Sequence, residues 1–156
     1  MKIVILGCGR VGAELARMLD EAHHQVTIID SSNDAFQRLD SRFQGEKVVG
    51  NGIDEEVLKR AGIEKADAFA AVTNGDNRNI MASQIAKEIF QVPRVICRIY
   101  DPIRQTIYQD LGLEAFSPTL IGAKILVNAL VQQKGTKEVT AQVEADMASK
   151  VNKRKE

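Results

Sequence analysis

A chain of 156 residues, 44% of them hydrophobic, is long enough to bury one full hydrophobic core but too short for two ordinary domains. Its 21 Lys and Arg residues balance its 21 Asp and Glu residues, which excludes a general attraction to nucleic acid or to an anionic membrane. No apolar run approaches the roughly 20 residues of a membrane-spanning helix, and the first residues enter a strand without a signal-peptide pattern, so we expect a cytoplasmic protein.

The first predicted elements enclose a glycine pattern. Residues 2–6 form a short apolar run typical of a buried parallel strand, and apolar residues recur at helical spacing from Val11 onwards. Between them, Gly7, Gly9 and Gly12 have the spacing GxGxxG. The first would permit a tight turn, the second would let the backbone approach a pyrophosphate, and the third would let helix and strand pack closely. The amide groups and the positive end of the helix dipole would face the anion. The alternative is a glycine-rich turn that binds nothing.

An acidic residue follows the second predicted strand. This strand covers residues 25–29 and is followed by Asp30, eighteen residues after Gly12. The carboxylate can accept hydrogen bonds from both hydroxyls of a nucleotide ribose and would repel a 2′-phosphate, which argues against NADP. The alternative is that Asp30 caps a helical segment that starts near Asn33.

Strands and helices continue to alternate along the chain, which is typical of a parallel sheet with helices on both faces. We therefore predict an α/β fold, a Rossmann-type doubly wound parallel sheet of strand order 3-2-1-4-5-6. In that order the ligand crevice lies beyond the carboxyl ends of strands one and four, where the order reverses. The further predicted elements are strands at Lys47–Val49, Ala68–Val72 and Arg94–Ile99, a short strand near Ala115, and helices at Glu55–Ala61, Asn77–Phe90 and Ile103–Leu111.

Two polar loops would converge on that crevice. The loop 50–52 follows the third strand, beside Asp30, where the edge of an adenine could be bound. The loop 73–76 follows the fourth strand, across from the glycine turn. Ordinary turns use the same residue types, which is the alternative. The loop residues that we predict to bind the ligand are Asn51, Gly52, Thr73, Asn74 and Gly75.

The groups that a nicotinamide dehydrogenase needs are hard to find in this sequence. His23 and His24 lie at the end of the first helix, remote from the glycine turn, where capping the last carbonyls is their expected role. Tyr100 and Tyr108 lack a lysine four residues later, so a Tyr-xxx-Lys proton relay is missing. The two cysteines lie far apart without a CxxC pair, so neither a disulfide framework nor a zinc site is indicated. We expect a protein that is not an enzyme.

The last predicted helix is apolar around most of its circumference. It follows Pro118 with the sequence TLIGAKILVNALV, and such a helix must be buried on more than one side. We therefore predict a homodimer built around this helix. The alternatives are a helix buried within one chain or an exposed apolar patch. The predicted organisation is a nucleotide-binding domain at residues 1–117, a dimerisation helix at 118–135, and a polar extension, helical or disordered, at 136–156.

Three stretches make the chain similar to a known family: GCGRVG, VVGNGIDEEVLKRAGIEKADAFAAVTNGDNRNIMAS and VICRIYDP. They resemble the amino-terminal domain of the RCK (regulator of potassium conductance) family, found in the cytosolic Trk and Ktr potassium-transport subunits. The resemblance implies a domain that binds NAD(H) or an adenine nucleotide (ATP, ADP or AMP), catalyses nothing and passes the information to a membrane pore. The implied partners are an integral-membrane potassium channel or transporter subunit, at the cytoplasmic face of the membrane, and further copies of the chain in a homodimer or larger ring. The resemblance also implies that the carboxyl-terminal helix at 118–135 is a crossover helix, which crosses over to a neighbouring copy.

The resemblance also implies roles for two arginines. Arg10 in the glycine turn and Arg98 at the end of the fifth strand correspond to basic side chains that reach bound phosphates. From the residues alone, Arg98 could be a surface cation at a strand end, and Arg10 could pair with an acid on its own helix. Some Ktr members have a glutamate at a metal position where this chain has Thr119, so we expect no metal. The complete predicted set of cofactor-binding residues is Gly7, Cys8, Gly9, Arg10, Val11, Gly12, Asp30, Ser31, Asn51, Gly52, Thr73, Asn74, Gly75 and Arg98.

Two other functions are the alternatives at this point: a minimal NAD-dependent oxidoreductase, and a nucleotide-sensing domain for another membrane transporter. Adding NAD(H) with candidate substrates and following nicotinamide absorbance would separate an enzyme from a sensor.

Overall fold

A computed structural model describes residues 1–131 of the 156-residue chain. These residues fall into two compact units, one spanning Met1–Ser117 and a second that begins at Pro118. The predicted extension 136–156 and the last residues of the predicted dimerisation helix lie outside the described residues. The roles assigned to those two segments stay predictions.

A parallel sheet organises the first unit, and its strand order, β3-β2-β1-β4-β5-β6, confirms the predicted doubly wound fold. Leu6 on the central strand is opposite Ile29 on one side and Ala71 on the other, so the carboxyl ends of neighbouring strands meet at one edge of the sheet. The strands are β1 (Lys2–Leu6), β2 (Gln25–Asp30), β3 (Glu46–Val49), β4 (Ala68–Ala71), β5 (Arg94–Arg98) and β6 (Ala115–Phe116).

The helices differ from the predicted ones by one residue at most ends. For example, α4 begins at Pro102 because the carboxylate of Asp101 caps it, accepting the Ile103 N–H at 2.9 Å. The helices of the first unit are α1 (Arg10–Glu21), α2 (Glu55–Arg60), α3 (Asp76–Gln84) and α4 (Pro102–Asp110), with 3₁₀ helices at Asn33–Arg38 and Ile63–Lys65. The second unit contributes α5 (Pro118–Val131).

The predicted helix Asn77–Phe90 is present, but its second half is not α-helical. After α3 the chain widens into a π-helical turn at Ile85–Ile89, in which the Phe90 N–H donates to the Ile85 carbonyl at 3.2 Å. Gln91 then leaves the helical region with φ 53° and ends the turn. An apolar spacing of four residues fits both kinds of turn, so the sequence pattern does not distinguish them.

The hydrophobic core lies on both faces of the sheet. Ile3 and Ile5 belong to a cluster that includes the buried face of α1, whereas Val4 and Leu6 belong to a second cluster with α2 and α3. Successive side chains of a strand point to opposite faces, so β1 is covered on both sides. This burial fixes the end of β1, from which the glycine turn departs.

The described part of the second unit is the apolar helix α5, and its surface is exposed. No residue of α5 is buried, and the side chains of Leu130 and Val131 are 79% and 76% exposed. Within residues 1–131, no helix combines the length and the apolarity that crossing a membrane requires.

Candidate functional site

The glycine turn after β1 contains glycines of two kinds. Gly7 has φ 105°, and a Cβ there would lie 2.9 Å from the Cα and the N of Thr73. A Cβ on Gly12 would lie 1.8 Å from the carbonyl oxygen of Gly7. Packing therefore requires glycine at both positions. A Cβ on Gly9, in contrast, would meet no atom of the described residues within 4 Å, so the space beside Gly9 is open.

Helix α1 begins immediately after Gly9, and no side chain caps its first turn. The turn contains no acidic residue, so its N–H groups keep their partial positive charge. The Arg10 and Val11 side chains are exposed. Glu14, the acid one turn after Arg10, is paired with Arg17 at 2.6 Å instead. The alternative in which Arg10 pairs with an acid of its own helix is therefore wrong for the described residues.

Cys8 anchors the turn instead of offering its side chain to a ligand. Its thiol is fully buried and donates to the Ala35 carbonyl at 3.3 Å. Burial, and secondarily the negative charge of Asp30, raise the pKa of the thiol to about 11, so it stays protonated at neutral pH. Its main-chain N–H donates to Asp30 at 2.7 Å.

Asp30 links the glycine turn to the loops beside it. One carboxylate oxygen accepts the Cys8 N–H at 2.7 Å and the other accepts the Ser32 N–H at 3.0 Å. Its carbonyl oxygen accepts the Gly50 N–H at 2.9 Å. The residue at the N-cap of the 3₁₀ helix is Ser32, so the alternative in which Asp30 caps that helix is wrong. Each carboxylate oxygen can accept a second hydrogen bond, which leaves capacity for ribose hydroxyls.

The predicted adenine side of the crevice is open to solvent. Ser31 and Asn51 are exposed, and the amide oxygen of Asn51 has only a long contact, 3.4 Å, with the Ile53 N–H. Gly52 is buried, and a Cβ there would lie 2.1 Å from a methyl carbon of Leu6. Gly52 thus packs the loop against the end of β1, and Asn51 keeps its polar groups available.

The loop after β4 is held by a buried network that the sequence reasoning missed. Asn79 in α3 is 0% exposed. Its amide oxygen accepts the Thr73 N–H at 2.9 Å and the Thr73 hydroxyl at 2.7 Å. Its amide nitrogen donates to the carbonyls of Thr73 and Arg98 at 3.0 and 2.9 Å. The Thr73 hydroxyl also accepts the Gly75 N–H at 3.2 Å. The polar atoms of Thr73 are therefore engaged inside the protein, whereas Asn74 is exposed.

Arg98 is a buried cation without a carboxylate partner in residues 1–131. It is 5% exposed, its Nη2 donates to the Thr73 carbonyl, and its guanidinium carbon lies 4.3 Å from the centre of the Tyr100 ring. Its Nε is buried without a hydrogen-bond partner among these residues. Burying an ionised group without a counter-charge is costly. The alternative of a surface cation at a strand end is wrong.

The acids on this side of the crevice are committed to the main chain. The carboxylate of Asp76 accepts the N–H groups of Tyr100 and Asp101 at 2.9 and 3.3 Å and lies 3.8 Å from Arg104. Asp101 accepts the Ile103 N–H as the cap of α4. Asp76 fixes the loop that follows Arg98, a role that sequence reasoning did not assign.

The histidines lie at the far end of α1. Their main-chain N–H groups donate to carbonyls of the last turn, His23 to Asp20 at 2.9 Å and His24 to Leu19 at 3.0 Å, and the capping role expected of their side chains stays a prediction. The described part of the chain contains no group of three or more His, Cys, Asp or Glu residues that could hold a metal ion.

The chain is similar to potassium uptake proteins. A Trk system potassium uptake protein TrkA of Streptomyces coelicolor is 52% identical over 113 residues, which cover 72% of this chain and 51% of that protein. A TrkA homolog of Pyrococcus horikoshii is 38% identical over 137 residues, which cover 84% of this chain and 60% of that protein. The chain thus spans only about half the length of these relatives.

Solved structures and a family model agree with these relatives. GsuK bound to ADP and the GsuK channel bound to NAD each have a TM-score of 0.72 and 25% identity to this chain. The match covers 85% of this chain in both cases, and 34% and 24% of the two GsuK chains. Residues 3–118 match the family model described as the TrkA-N domain. The chain therefore belongs to the TrkA-N domain family.

Proposed function

We propose that this chain is the nucleotide-binding part of a regulatory subunit of a potassium transport system, and that it binds NAD(H) or an adenine nucleotide at the glycine turn. The observation that carries the proposal is the open space beside Gly9 at the uncapped start of α1. Packing does not require glycine there, and a residue without a side chain at this N-cap position leaves room for a ligand to approach the main chain closely.

The groups around the turn suit a nucleotide. A phosphate at the first turn of α1 would accept hydrogen bonds from the free N–H groups of that turn. The positive end of the helix dipole would also attract its negative charge. Asp30 is tied to the same turn through the Cys8 N–H, so a ribose bound by its carboxylate would lie next to that phosphate. The negative charge of Asp30 would disfavour a 2′-phosphate.

The available side chains support a sensor more than an oxidoreductase. The buried Cys8 thiol is protonated, and the carboxylates of Asp76 and Asp101 already accept main-chain N–H groups. A general acid or base that is free to act on a substrate is not found among these described residues.

The relatives' names support the choice of potassium transport. Two are Trk system potassium uptake proteins, and GsuK is a channel with one solved structure bound to ADP and one bound to NAD. The proposed partners are an integral-membrane potassium transporter subunit and a second copy of this chain, joined through the exposed apolar surface of α5 in a dimer or a larger ring. In this assembly the chain would lie at the cytoplasmic face of the membrane.

Titration calorimetry of the purified protein with ADP, ATP, AMP, NAD⁺, NADH and NADP⁺ tests the binding. We expect at least one adenine nucleotide to bind and NADP⁺ to bind more weakly than NAD⁺. Replacing Asp30→Ala should weaken binding by about 1 to 3 kcal/mol, because a hydrogen-bonded charged group is lost. Asp34→Ala, an exposed acid in the neighbouring 3₁₀ helix, is the control and should change little. Absence of binding by every nucleotide would refute the proposal.

Potassium uptake tests the physiological role. Cells that lack their own regulatory subunit should regain uptake when they produce this chain together with its transporter subunit. A variant defective in nucleotide binding should fail to restore it. If uptake is the same with and without the chain, the chain does not regulate that transporter.

A further inference from the structure

We propose that Asn51 is a site of spontaneous deamidation, and that the hydrogen bonds around Gly75 protect a second asparagine, Asn74, from the same reaction. The sequence contains two Asn-Gly pairs, Asn51–Gly52 and Asn74–Gly75. Asparagine is a thermally labile residue, and a glycine after it makes it more so. The reaction does not depend on the proposed function, and only its effect on ligand binding rests on that function.

Deamidation needs only the chain and water. The main-chain nitrogen of the glycine attacks the side-chain amide carbon of the asparagine and forms a new N–C bond. The amide nitrogen leaves as ammonia, which takes the proton of the glycine N–H. Water then opens the resulting succinimide ring at either carbonyl, and the product is aspartate or isoaspartate. Glycine favours the attack because it has no Cβ that hinders the approach of its nitrogen.

The Asn51–Gly52 pair leaves the attacking nitrogen free. The Gly52 N–H donates to no other residue within 1–131. Asn51 is exposed, and among the described residues its side chain has only the long contact, 3.4 Å, between its amide oxygen and the Ile53 N–H. The turn is closed by a different group, the Asn51 carbonyl, which accepts the Asp54 N–H at 3.0 Å. The two reacting groups therefore have no strong hydrogen bond to break first.

The Asn74–Gly75 pair is tied at its glycine. Asn74 is exposed as well, so exposure does not distinguish the two pairs. The Gly75 N–H donates to the Thr73 hydroxyl at 3.2 Å, and that hydroxyl bonds to the buried amide oxygen of Asn79 at 2.7 Å. The Gly75 carbonyl accepts the Asn79 N–H at 3.0 Å at the start of α3. Attack by the Gly75 nitrogen would break its hydrogen bond and pull Gly75 away from the helix that it caps.

The effect on ligand binding follows from the position of Asn51. The loop begins with Gly50, whose N–H donates to the Asp30 carbonyl at 2.9 Å, so deamidation would add a second negative charge on this side of the crevice. Isoaspartate would also lengthen the main chain directly before Gly52, where the loop packs against Leu6. If a nucleotide binds as proposed, the added charge would repel its phosphates, and the lost amide would remove two donors.

Peptide mapping by mass spectrometry measures both sites in one sample. After incubation of the purified protein in mildly alkaline buffer, a brief digestion with trypsin releases the two pairs in separate peptides, 48–59 and 66–78. Asn51 should convert about 2- to 10-fold faster than Asn74, which corresponds to one hydrogen bond that has to be broken first. In guanidinium chloride the two rates should converge, because glycine follows both asparagines and the fold is absent.

A variant of Thr73 tests the cause of the protection. Thr73→Val removes the hydroxyl that holds the Gly75 N–H, so it should speed the conversion of Asn74 and leave that of Asn51 unchanged. The proposal fails if the folded wild-type protein converts Asn74 as fast as Asn51, or if it keeps Asn51 intact while the denatured chain converts it. It also fails if folded Thr73→Val still protects Asn74. Should this variant not fold, the comparison of folded and denatured wild-type protein decides.

Calorimetry with Asn51→Asp tests the effect on binding. This variant should bind the nucleotide about 5-fold more weakly than the wild-type protein, as expected for one like charge added close to the ligand. Gln44→Glu is the matched control, because it exchanges an amide for a carboxylate in the exposed loop before β3 and should change little. Equal binding by Asn51→Asp and the wild-type protein would overturn the effect on binding. The proposed function fails separately, if the wild-type protein binds no nucleotide, and the peptide map still decides the deamidation.

Discussion

The polar groups on the two sides of the glycine turn differ in whether they are already hydrogen-bonded inside the protein. On the β2–β3 side, Asp30 and Asn51 keep capacity to bind a ligand, and the space beside Gly9 is open. On the β4–β5 side, Thr73 and Asn79 bond to each other inside the protein. Similar polar residue types thus stay available to a ligand on one side and are used for internal hydrogen bonds on the other. The burial of each residue separates the two roles: Asn79 lies on the buried face of α3, whereas Asn51 lies in an exposed loop.

The largest effect is expected when a side chain fills the glycine turn itself. Gly12→Val places its Cβ 1.8 Å from the Gly7 carbonyl oxygen, so we expect it to lower the free energy of unfolding by about 3 to 5 kcal/mol. Gly9→Val points into open space and should cost about 1 kcal/mol or less while it blocks nucleotide binding. Denaturant unfolding and calorimetry measure the two effects. If Gly9→Val binds nucleotide with native affinity, the glycine turn is only a turn.

The next largest effect is expected when the hydrogen-bond network of Asn79 on the β4–β5 side is removed. Asn79→Ala deletes four hydrogen bonds and leaves buried groups of Thr73 and Arg98 without partners, so it should destabilise the fold by about 2 to 4 kcal/mol. Asn77→Ala, in the same helix but exposed, is the control: it loses one exposed hydrogen bond, from Arg104 at 2.6 Å, and should cost about 0.5 kcal/mol or less. Equal unfolding free energies of the two variants would show that the buried network does not hold the loop.

The smallest expected effect concerns one thiol on each side of the turn. Burial raises the pKa of Cys8 and of Cys97 from 9.0 to about 11, so the folded state favours the protonated thiols. Their contribution to stability is complete below pH 9.0 and disappears as the pH rises through about 11.

Alanine variants isolate this contribution. The difference in unfolding free energy between the wild-type protein and Cys8→Ala, measured by denaturant unfolding, should stay constant below pH 9.0 and then shrink. Cys97→Ala should behave alike, because burial is the main cause at both sites. Parallel pH profiles of wild-type and variant proteins would mean that the thiol pKa values are not raised.

The order of the sheet could be predicted from the sequence because it depends on local patterns. Short apolar runs, the glycine spacing and the acid after the second strand are each readable within a few residues. Helix α3 shows the limit, since a π-helical turn and an α-helical turn bury similar side chains. The residue pattern was sufficient to predict that a helix is present and insufficient to predict that it ends in a π-helical turn.

The Asn79 network could not be read from local pattern in the same way, because an asparagine inside a helix usually indicates an exposed face. A signal was nevertheless present. Asn79, Ala82, Ser83 and Ala86 recur at helical spacing and all are buried, so Asn79 lies on the inner face of the chain's third helix. The partner that makes its burial tolerable, Thr73, lies in a separate loop, and only the folded structure brings the two together.

The double attachment of Asp30 has a consequence for protein engineering. A designer who wished the site to accept a 2′-phosphate would first remove this negative charge. The same carboxylate, however, is the acceptor for the N–H groups of Cys8 and Ser32, so most replacements would also release the glycine turn. Asparagine would restore an oxygen for only one of those two donors. In the proposed site, the choice of ligand and the shape of the loop therefore depend on the same carboxylate, and a successful redesign has to supply a new acceptor along with the new charge.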